Sequence, residues 1–390
     1  MSGTTVHVVG AGLAGLAAAL AASRVGARVR LYEAAPQAGG RCRSMHDPRL
    51  DRVIDNGSHL LLGINRTALA YARRLGAELT ALPPAIAFAE PASGRRWGVT
   101  PGNLPAGWGE TLRALGLPWL TAAATVGDRL AGCPGYRDFW QPLCLAMLNT
   151  PAERASARLF ARVLRAVLPG GRAGMRGYVV PRGLSATQVD PALELLHRHG
   201  GDIRLGHRLT AIRQSELTFG RHVEKLGPAD RVILALPPWD LARMLPGIYR
   251  FPSETIVNVH YRLPLPVRLP GPLGLIGTAA HWLFVRGDVV SATLSATAEA
   301  DPAAIWAVIA PLLAQPAPVP PHRVIRERRA TIAHDPATIA RRPGPTTPWA
   351  GVFLAGDWLD SPWPCTIESA VSSGLRAARL ALGRDDLRFS

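Results

Sequence analysis

Lysine is nearly missing from this chain: Lys225 is the sole one, and arginine supplies the rest of the 44 basic residues. Against 28 acidic residues this leaves a formal net charge of +16. The arginines are scattered in pairs such as Arg73-Arg74, Arg95-Arg96, Arg328-Arg329 and Arg341-Arg342, with no long basic run. A nucleic-acid reader needs a clustered stripe or a recognisable reading module, so that class is set aside. An anionic membrane surface is a more natural partner, since basic residues near its headgroups gain about 1 kcal/mol each. Cysteine is scarce too. Cys42, Cys133, Cys144 and Cys365 show neither CxxC nor metal-ligand spacing, so no disulfide framework and no metal site is expected. Reduced thiols in a cytoplasmic protein fit this usage. No stretch offers the ~20 uninterrupted apolar residues of a spanning helix. The apolar run Val6 to Ala22 imitates a signal peptide, yet it lacks a charged start and a cleavage site, and Gly10, Gly12 and Gly15 sit inside it. Any membrane contact is expected to be peripheral.

What is present is a globular chain of 390 residues, 48% of them hydrophobic, long enough for two domains and a large core. Val6 to Val9 reads as a strand, Ala11 to Arg24 as a helix and Arg28 to Tyr32 as a strand, a βαβ unit of the expected ~30 residues. The middle reads as mostly helical, interrupted by Pro83-Pro84, Pro101, Pro105 and Pro118. Further on, the pattern predicts a helix over Asp190 to Arg198 and a strand pair over Asp202 to Ile212. It then predicts a buried strand over Arg231 to Leu236, a strand over Val352 to Ala355 and a closing helix over Thr366 to Leu382. The order implies an α/β fold with one Rossmann-like dinucleotide domain assembled from residues 1–80, 177–240 and 345–390. An α+β substrate domain is inserted twice, as residues 81–176 and 241–344.

The first signature is Gly10-Ala11-Gly12-Leu13-Ala14-Gly15, directly after a strand and opening a helix. Gly10 permits the tight turn, Gly12 lets backbone approach a pyrophosphate and Gly15 lets the helix pack closely on the sheet. The helix N-terminus favours the phosphate charge. Glu33, at the end of the second strand, stands where a carboxylate binds ribose hydroxyls. Next comes Gly39-Gly40-Arg41-Cys42-Arg43-Ser44, a second glycine loop with arginines suited to charge-assisted hydrogen bonds. The third is Phe353-Leu354-Ala355-Gly356-Asp357-Trp358, followed by Thr366-Ile367-Glu368-Ser369-Ala370 and Gly374. Gly356-Asp357 puts a carboxylate at a strand end, and the Thr366 to Ile367 turn aims a helix N-terminus where negative charge develops. Together the three imply one bound FAD.

The second loop resembles FAD-binding proteins of the amine oxidase and phytoene desaturase superfamily. That resemblance places Arg41 against the cofactor and Arg43 near the flavin ring, and adds Asn56, Gly57, Ser58 and Leu209 to the cofactor contacts. Further segments carry the resemblance beyond the cofactor motifs: Asp55-Asn56-Gly57-Ser58-His59-Leu60-Leu61-Leu62-Gly63, Phe139-Trp140-Gln141-Pro142-Leu143, Leu148-Asn149-Thr150-Pro151, Val180-Pro181-Arg182-Gly183-Leu184 and Glu327-Arg328-Arg329-Ala330-Thr331. From residue 5 to residue 382 the chain resembles the squalene-associated FAD-dependent desaturases, the hydroxysqualene dehydroxylase family of bacterial hopanoid synthesis. It departs from that pattern at Ser58, where glutamine is expected, and at Cys365 and Ser369.

The resemblance implies removal of the allylic hydroxyl of hydroxysqualene as water and hydride delivery from reduced flavin N5, giving squalene. Loss of a poor leaving group asks for a general acid within hydrogen-bond reach; hydride transfer asks for alignment in a dry pocket. His59 is the candidate acid, because its pKa can sit near the working pH. Asp55 instead fixes the turn of its Asn-Gly loop. Trp140, Trp282 and Phe284, with Trp306, are candidates for lining an isoprenoid channel. The segment Leu104 to Leu120 is a candidate entrance from a bilayer. No second nucleotide motif exists for NAD(P)H, so the electron donor is open. A prenyl synthase of the same pathway and the cytoplasmic face of the inner membrane are the expected surroundings. The rival readings are a carotenoid or polyprenyl desaturase on the same scaffold, and a non-catalytic flavin-binding partner of a prenyl synthase.

Overall fold

Strands buried on both faces of a parallel sheet are apolar along their whole length, and β1 (Thr5–Val9) is buried at every position. The computed structural model describes residues 4–100, 102–116 and 121–389. In it β1 joins β2 (Arg28–Tyr32), β3 (Asp202–Arg204), β4 (Arg231–Leu234) and β5 (Val352–Leu354) in a five-stranded sheet ordered β3-β2-β1-β4-β5, every pair parallel. Helix α1 (Leu13–Arg24) is buried from Leu13 through Ser23 because it is sandwiched. The sheet covers one side, while α2 (Asp190–Arg198) and α3 (Ile367–Leu382) cover the other. The last contact is close enough to need glycine: a Cβ on Gly374 of α3 would sit 2.0 Å from the Ala14 carbonyl oxygen.

Two connections leave this sheet and build a second one of seven strands. Its order is His322–Ile332, Ser253–Arg262, Val289–Ser295, Trp282–Arg286, Leu273–Leu275, Ile86–Glu90, Arg95–Val99. One face is apolar, with Val257, Val259, Leu283 and Ala292 packed under the helix Pro302–Ile309. Cross-strand pairing puts Asn258, Thr293, Trp282, Gly274, Phe88 and Trp97 in one row on the other face. Helices between Val126 and Val167 pack around Phe139, Trp140 and Phe160 beside that face.

The chain departs from the sequence expectation in two places. Between Ser44 and Val99 it carries more strand than helix, because residues 48–51 and 91–94 turn short runs back on themselves; Arg66–Arg74 is the helix of that stretch. Asp202 to Ile212 is not a strand pair. Asp202–Arg204 completes the parallel sheet, whereas Ala211–Arg213 opens a separate three-stranded antiparallel sheet. Of the stretch Leu104 to Leu120, residues 117–120 lie outside the described residues, as does Pro101; Trp108–Ala114 is a helix. Among the described residues no helix is long and apolar enough to cross a membrane.

Candidate active site

The glycine turn after β1 is shaped by what surrounds it. A Cβ on Gly10 would lie 2.4 Å from the Ala235 carbonyl oxygen, and one on Gly15 would lie 1.8 Å from that of Gly10. Gly12 is different: a Cβ there meets nothing within 4 Å, so the space before it is open. No side chain caps α1 and no acidic residue occupies its first turn, which leaves helix-dipole charge directed into that space. The second loop closes over the first through the Gly12–Gly39 bridge, with Gly39 N–H donating to the Ala11 carbonyl at 2.8 Å. Glu33 is held at the rim, accepting from the N–H of Ala11 at 2.8 Å and of Ala35 at 2.9 Å. The loop carrying Leu209 lies alongside, since His207 N–H donates to the Glu33 carbonyl; Leu209 itself is buried against Tyr32. An open, uncapped helix start beside a fixed carboxylate fits a dinucleotide diphosphate and its ribose.

The return of the chain completes the cradle. Arg41 donates to Asp357 at 2.7 Å and to the Ala330 carbonyl, which ties the second glycine loop to the end of β5. Gly356 there has φ +153, and its N–H donates to Ser373 of α3. Thr366 caps α3 with a reciprocal Thr366–Ser369 capping box, so Ser369 is part of the cap geometry. Arg43 is half-buried and donates to the Gly40 carbonyl at 2.5 Å, folded onto the loop rather than out into solvent.

Asn56 stands at the junction of cradle and second sheet. Its side chain donates to the Arg41 carbonyl at 3.3 Å and to Glu327 at 3.2 Å, and its own carbonyl accepts from Asn258 at 3.3 Å. Asn258 in turn accepts from Thr293 at 2.8 Å. Asp55 accepts from Ser44 at 2.6 Å, from Leu184 N–H at 3.0 Å and from Arg286, so all its acceptor capacity serves structure. His59 is half-buried two residues beyond Gly57, to whose carbonyl its Nδ1–H donates at 2.9 Å. Burial lowers its pKa; the Gly57 bond and Asp55 oppose that shift without reversing it. His59 is thus neutral near pH 7, with Nε2 the free nitrogen. Ser58 is half-buried beside it.

The aromatic candidates separate into two groups. Trp140 is buried between Phe139 and Phe160 and donates to Glu110 at 2.9 Å, and Trp306 is buried and donates to the Pro316 carbonyl. Both are core, because each indole N–H is satisfied inside the protein. Trp282 and Phe284 are half-buried on the polar face of the second sheet. Trp282 continues through Phe88, centroids 5.6 Å apart, to Trp97 at 5.7 Å. Gly274 makes this row possible, since a Cβ there would strike Phe88 at 2.5 Å. Trp97 ends the row at a cavity of about 510 Å³ lined by Arg95, Asn103, Glu110 and Asp138 among others.

Sequence reading missed Asn258, His260 and Thr293, and named Glu327 only as part of a resembling segment, without its bond to Asn56. A signal existed: in Val257-Asn258-Val259-His260-Tyr261 the apolar residues alternate with polar ones that are nevertheless buried, which is unusual for a strand facing solvent. His334 was also missed. It is buried between two ends of the site, donating from Nδ1 to the Leu148 carbonyl at 2.5 Å and accepting at Nε2 from Cys365 N–H at 3.0 Å.

A parallel dinucleotide sheet whose last strand and helix return to the first glycine turn, joined to a second sheet with a polar inner face, defines a two-part dinucleotide-dependent oxidoreductase. Comparison with known proteins narrows the class. Residues 135–382 match the flavin containing amine oxidoreductase profile, and residues 8–75 match an NAD(P)-binding Rossmann-like domain. The chain is 40% identical to the hydroxysqualene dehydroxylase of Rhodopseudomonas palustris, over 97% of its length and 98% of that protein. It is 38% identical to that of Sinorhizobium fredii over the same shares. Among solved structures, cyclohexylamine oxidase from Brevibacterium oxydans superposes with a TM-score of 0.72 at 18% identity, covering 97% of this chain and 99% of that one. A putrescine oxidase triple mutant does so with 0.72 at 17%, over the same shares. These two show the fold alone. The chain belongs to the flavin-containing amine oxidoreductases and, within them, to the hydroxysqualene dehydroxylase family. It is an FAD-dependent oxidoreductase.

Proposed function

We propose that this enzyme reduces hydroxysqualene to squalene, the allylic C–O bond breaking so that a proton arrives at oxygen, which leaves as water, and a hydride arrives at carbon. The observation that carries this reading is similarity along 97% of the chain to proteins named for that reaction, through the second sheet as well as the cradle. Bound in the cradle, reduced FAD supplies the hydride. Gly12, the start of α1, Glu33, Arg41 and Asp357 would hold its adenosine and diphosphate, and the Thr366-capped start of α3 would face the flavin. Residues 1–80, 177–240 and 345–390 would form the cofactor-binding part, with the rest serving substrate.

The remaining work falls to side chains of the chain itself. Trp282, Trp97 and Phe284, with the buried Phe88 behind them, would offer a dry aromatic wall to a polyene, and aromatic faces stabilise an allylic cation. His59 would release a proton to the departing hydroxyl from Nε2. Its lowered pKa makes it a strong but sparsely protonated acid, so turnover should rise as pH falls below 6.5. A cytoplasmic enzyme resting on the inner membrane, near the prenyl synthase that makes its substrate, follows from the C30 chain. The test is anaerobic: reduce the bound flavin with dithionite, add hydroxysqualene and measure flavin reoxidation and squalene together. Matched reoxidation and squalene are the expected result; flavin that stays reduced would overturn the reading in favour of a desaturase or a non-catalytic partner.

A further inference from the structure

Charge on this protein is uneven in a way that adjacent arginine pairs conceal. From Arg154 to Val189 there are seven arginines and no aspartate or glutamate. The helix Ala157–Val167 buries Leu159, Phe160, Val163 and Leu164 against the core around Trp140. Arg158, Arg162 and Arg165 recur at i, i+4 and i+7, a stripe on the side away from that core. Arg158 and Arg165 are exposed, and so are Arg172 and Arg176 in and just after the short helix Gly171–Met175.

Some arginines elsewhere meet carboxylates, such as Arg30 with Glu224, Arg52 with Asp288 and Arg95 with Asp138, and within the segment Arg154 meets Glu254. Among the described residues Arg158, Arg172 and Arg176 have none. A helix with an apolar inner side and an unneutralised cationic outer side is matched to an anionic lipid surface.

The same segment adjoins the candidate site. Leu61–Leu62 pairs with Gly177–Tyr178, and Gly63 N–H donates to the Arg176 carbonyl at 2.9 Å. Gly177 leaves room for Leu60 and Leu82, whose Cδ1 atoms would stand 3.0 and 3.2 Å from a Cβ there. Both leucines are half-buried; Leu60 follows His59 directly, and Leu82 N–H donates to the Gly177 carbonyl at 2.9 Å.

We propose that the outer face of residues 157–176 is the surface on which this protein sits on an anionic bilayer, with Leu60 and Leu82 beginning the apolar path from lipid to site. The path rests on the isoprenoid reading; the docking surface is tested separately. Holoenzyme is mixed with phosphatidylglycerol–phosphatidylcholine vesicles and with phosphatidylcholine vesicles, and flotation is measured at low and high salt. Wild type should float with the anionic vesicles alone and release in salt.

The triple variant Arg158→Gln, Arg172→Gln, Arg176→Gln should bind about 100-fold more weakly, at roughly fivefold per charge. Its lysine counterpart should retain binding. The control pair Arg49→Gln, Arg268→Gln, exposed elsewhere, should bind as wild type. Flavin absorbance reports folding, and conversion of detergent-dispersed hydroxysqualene by the triple variant should match wild type, so failure of the substrate reading shows as no conversion in either. No flotation of wild type, unchanged flotation of the triple variant, or equal loss in the control pair would each overturn the surface.

Discussion

The cofactor cradle and the inner face of the second sheet meet at Asn56 yet are built on opposite principles. In the cradle, function belongs to backbone: glycines at 10, 15 and 374 bring chain to chain, and the open space at Gly12 is what remains for a ligand. On the sheet face, function belongs to side chains gathered from separated strands, Asn258 and Thr293 toward the cradle and Trp282, Phe88 and Trp97 away from it. Backbone sites are specified by a few residues within a short span. Side-chain faces are specified by register, which is set by pairings up to hundreds of residues apart.

The sharpest way to break this comparison is at Gly15. Gly15→Val would drive its side chain into the Gly10 carbonyl and push α1 off the sheet. Complete loss of flavin from the purified protein is expected, read by absorbance at the oxidised flavin band. A substitution of similar size at Trp97, half-buried at the end of the aromatic row, should leave flavin stoichiometry intact and alter substrate handling only.

That difference explains what could be read from sequence. The order of β1, α1, β2, β4, β5 and α3 was legible because each is a continuous apolar or amphipathic run beside a glycine motif or, for β4, before Pro237-Pro238. Asn56-Gly57 suggested that Asp55 fixes its own turn, whereas its carboxylate accepts from Ser44, Leu184 N–H and Arg286, partners that sequence spacing does not show. The hairpins between Ser44 and Val99 were not, because strands of four or five residues carry little periodic signal. Trp140 and Trp282 look alike in sequence; only the fold buries one, with its indole N–H on Glu110, and leaves the other half-open. Arginine clustering was missed because neighbours in sequence were compared, while the imbalance lies in the missing carboxylates of a whole segment.

The two tryptophans supply the next contrast. Trp140→Leu empties part of a filled indole site and removes its bond to Glu110, at a cost of about 2–4 kcal/mol in unfolding free energy. Trp282→Leu is expected to cost well under half of that while raising KM for substrate. Chemical denaturation and steady-state kinetics on the pair check both. Equal destabilisation would place Trp282 in the core as well.

Acid sensitivity comes next in size. Burial pushes His334 down to about 4, from 6.5 in an unfolded chain, so the folded protein holds it neutral. Between these values the unfolded state binds the extra proton. The stabilisation is therefore complete above pH 6.5 and is lost as pH falls toward 4, on the order of 3 kcal/mol. Burial lowers His260 and His281 to about 4 as well, and they add to the same slope. Tm should fall steadily from pH 7 to pH 4.5. In His334→Asn, whose amide can still donate to the Leu148 carbonyl, the slope should be shallower, although Tm at pH 7 is lower.

Glu33 gives the smallest effect and the cleanest separation of the two regions. Its carboxylate already accepts from Ala11 and Ala35 N–H groups and so fixes the rim; in the proposed reading it would also present oxygen to a ribose. Glu33→Gln keeps one acceptor for the rim but turns an NH2 toward the other N–H, and it replaces a charged acceptor by a neutral one. Hydrogen bonds to charged groups exceed neutral ones by roughly 1 kcal/mol, so FAD affinity should drop about tenfold while fold is kept. Equilibrium titration of apoprotein with FAD measures the affinity, and the Tm of the apoprotein, shifted by little, measures the rim. Saturated with FAD, the variant should convert substrate at the wild-type maximal rate, because nothing on the sheet face has changed. A fall in that rate with affinity unchanged would mean that the cradle positions the reacting end of the cofactor from its adenosine side, and the division between backbone-made and side-chain-made regions would have to be redrawn at Glu33.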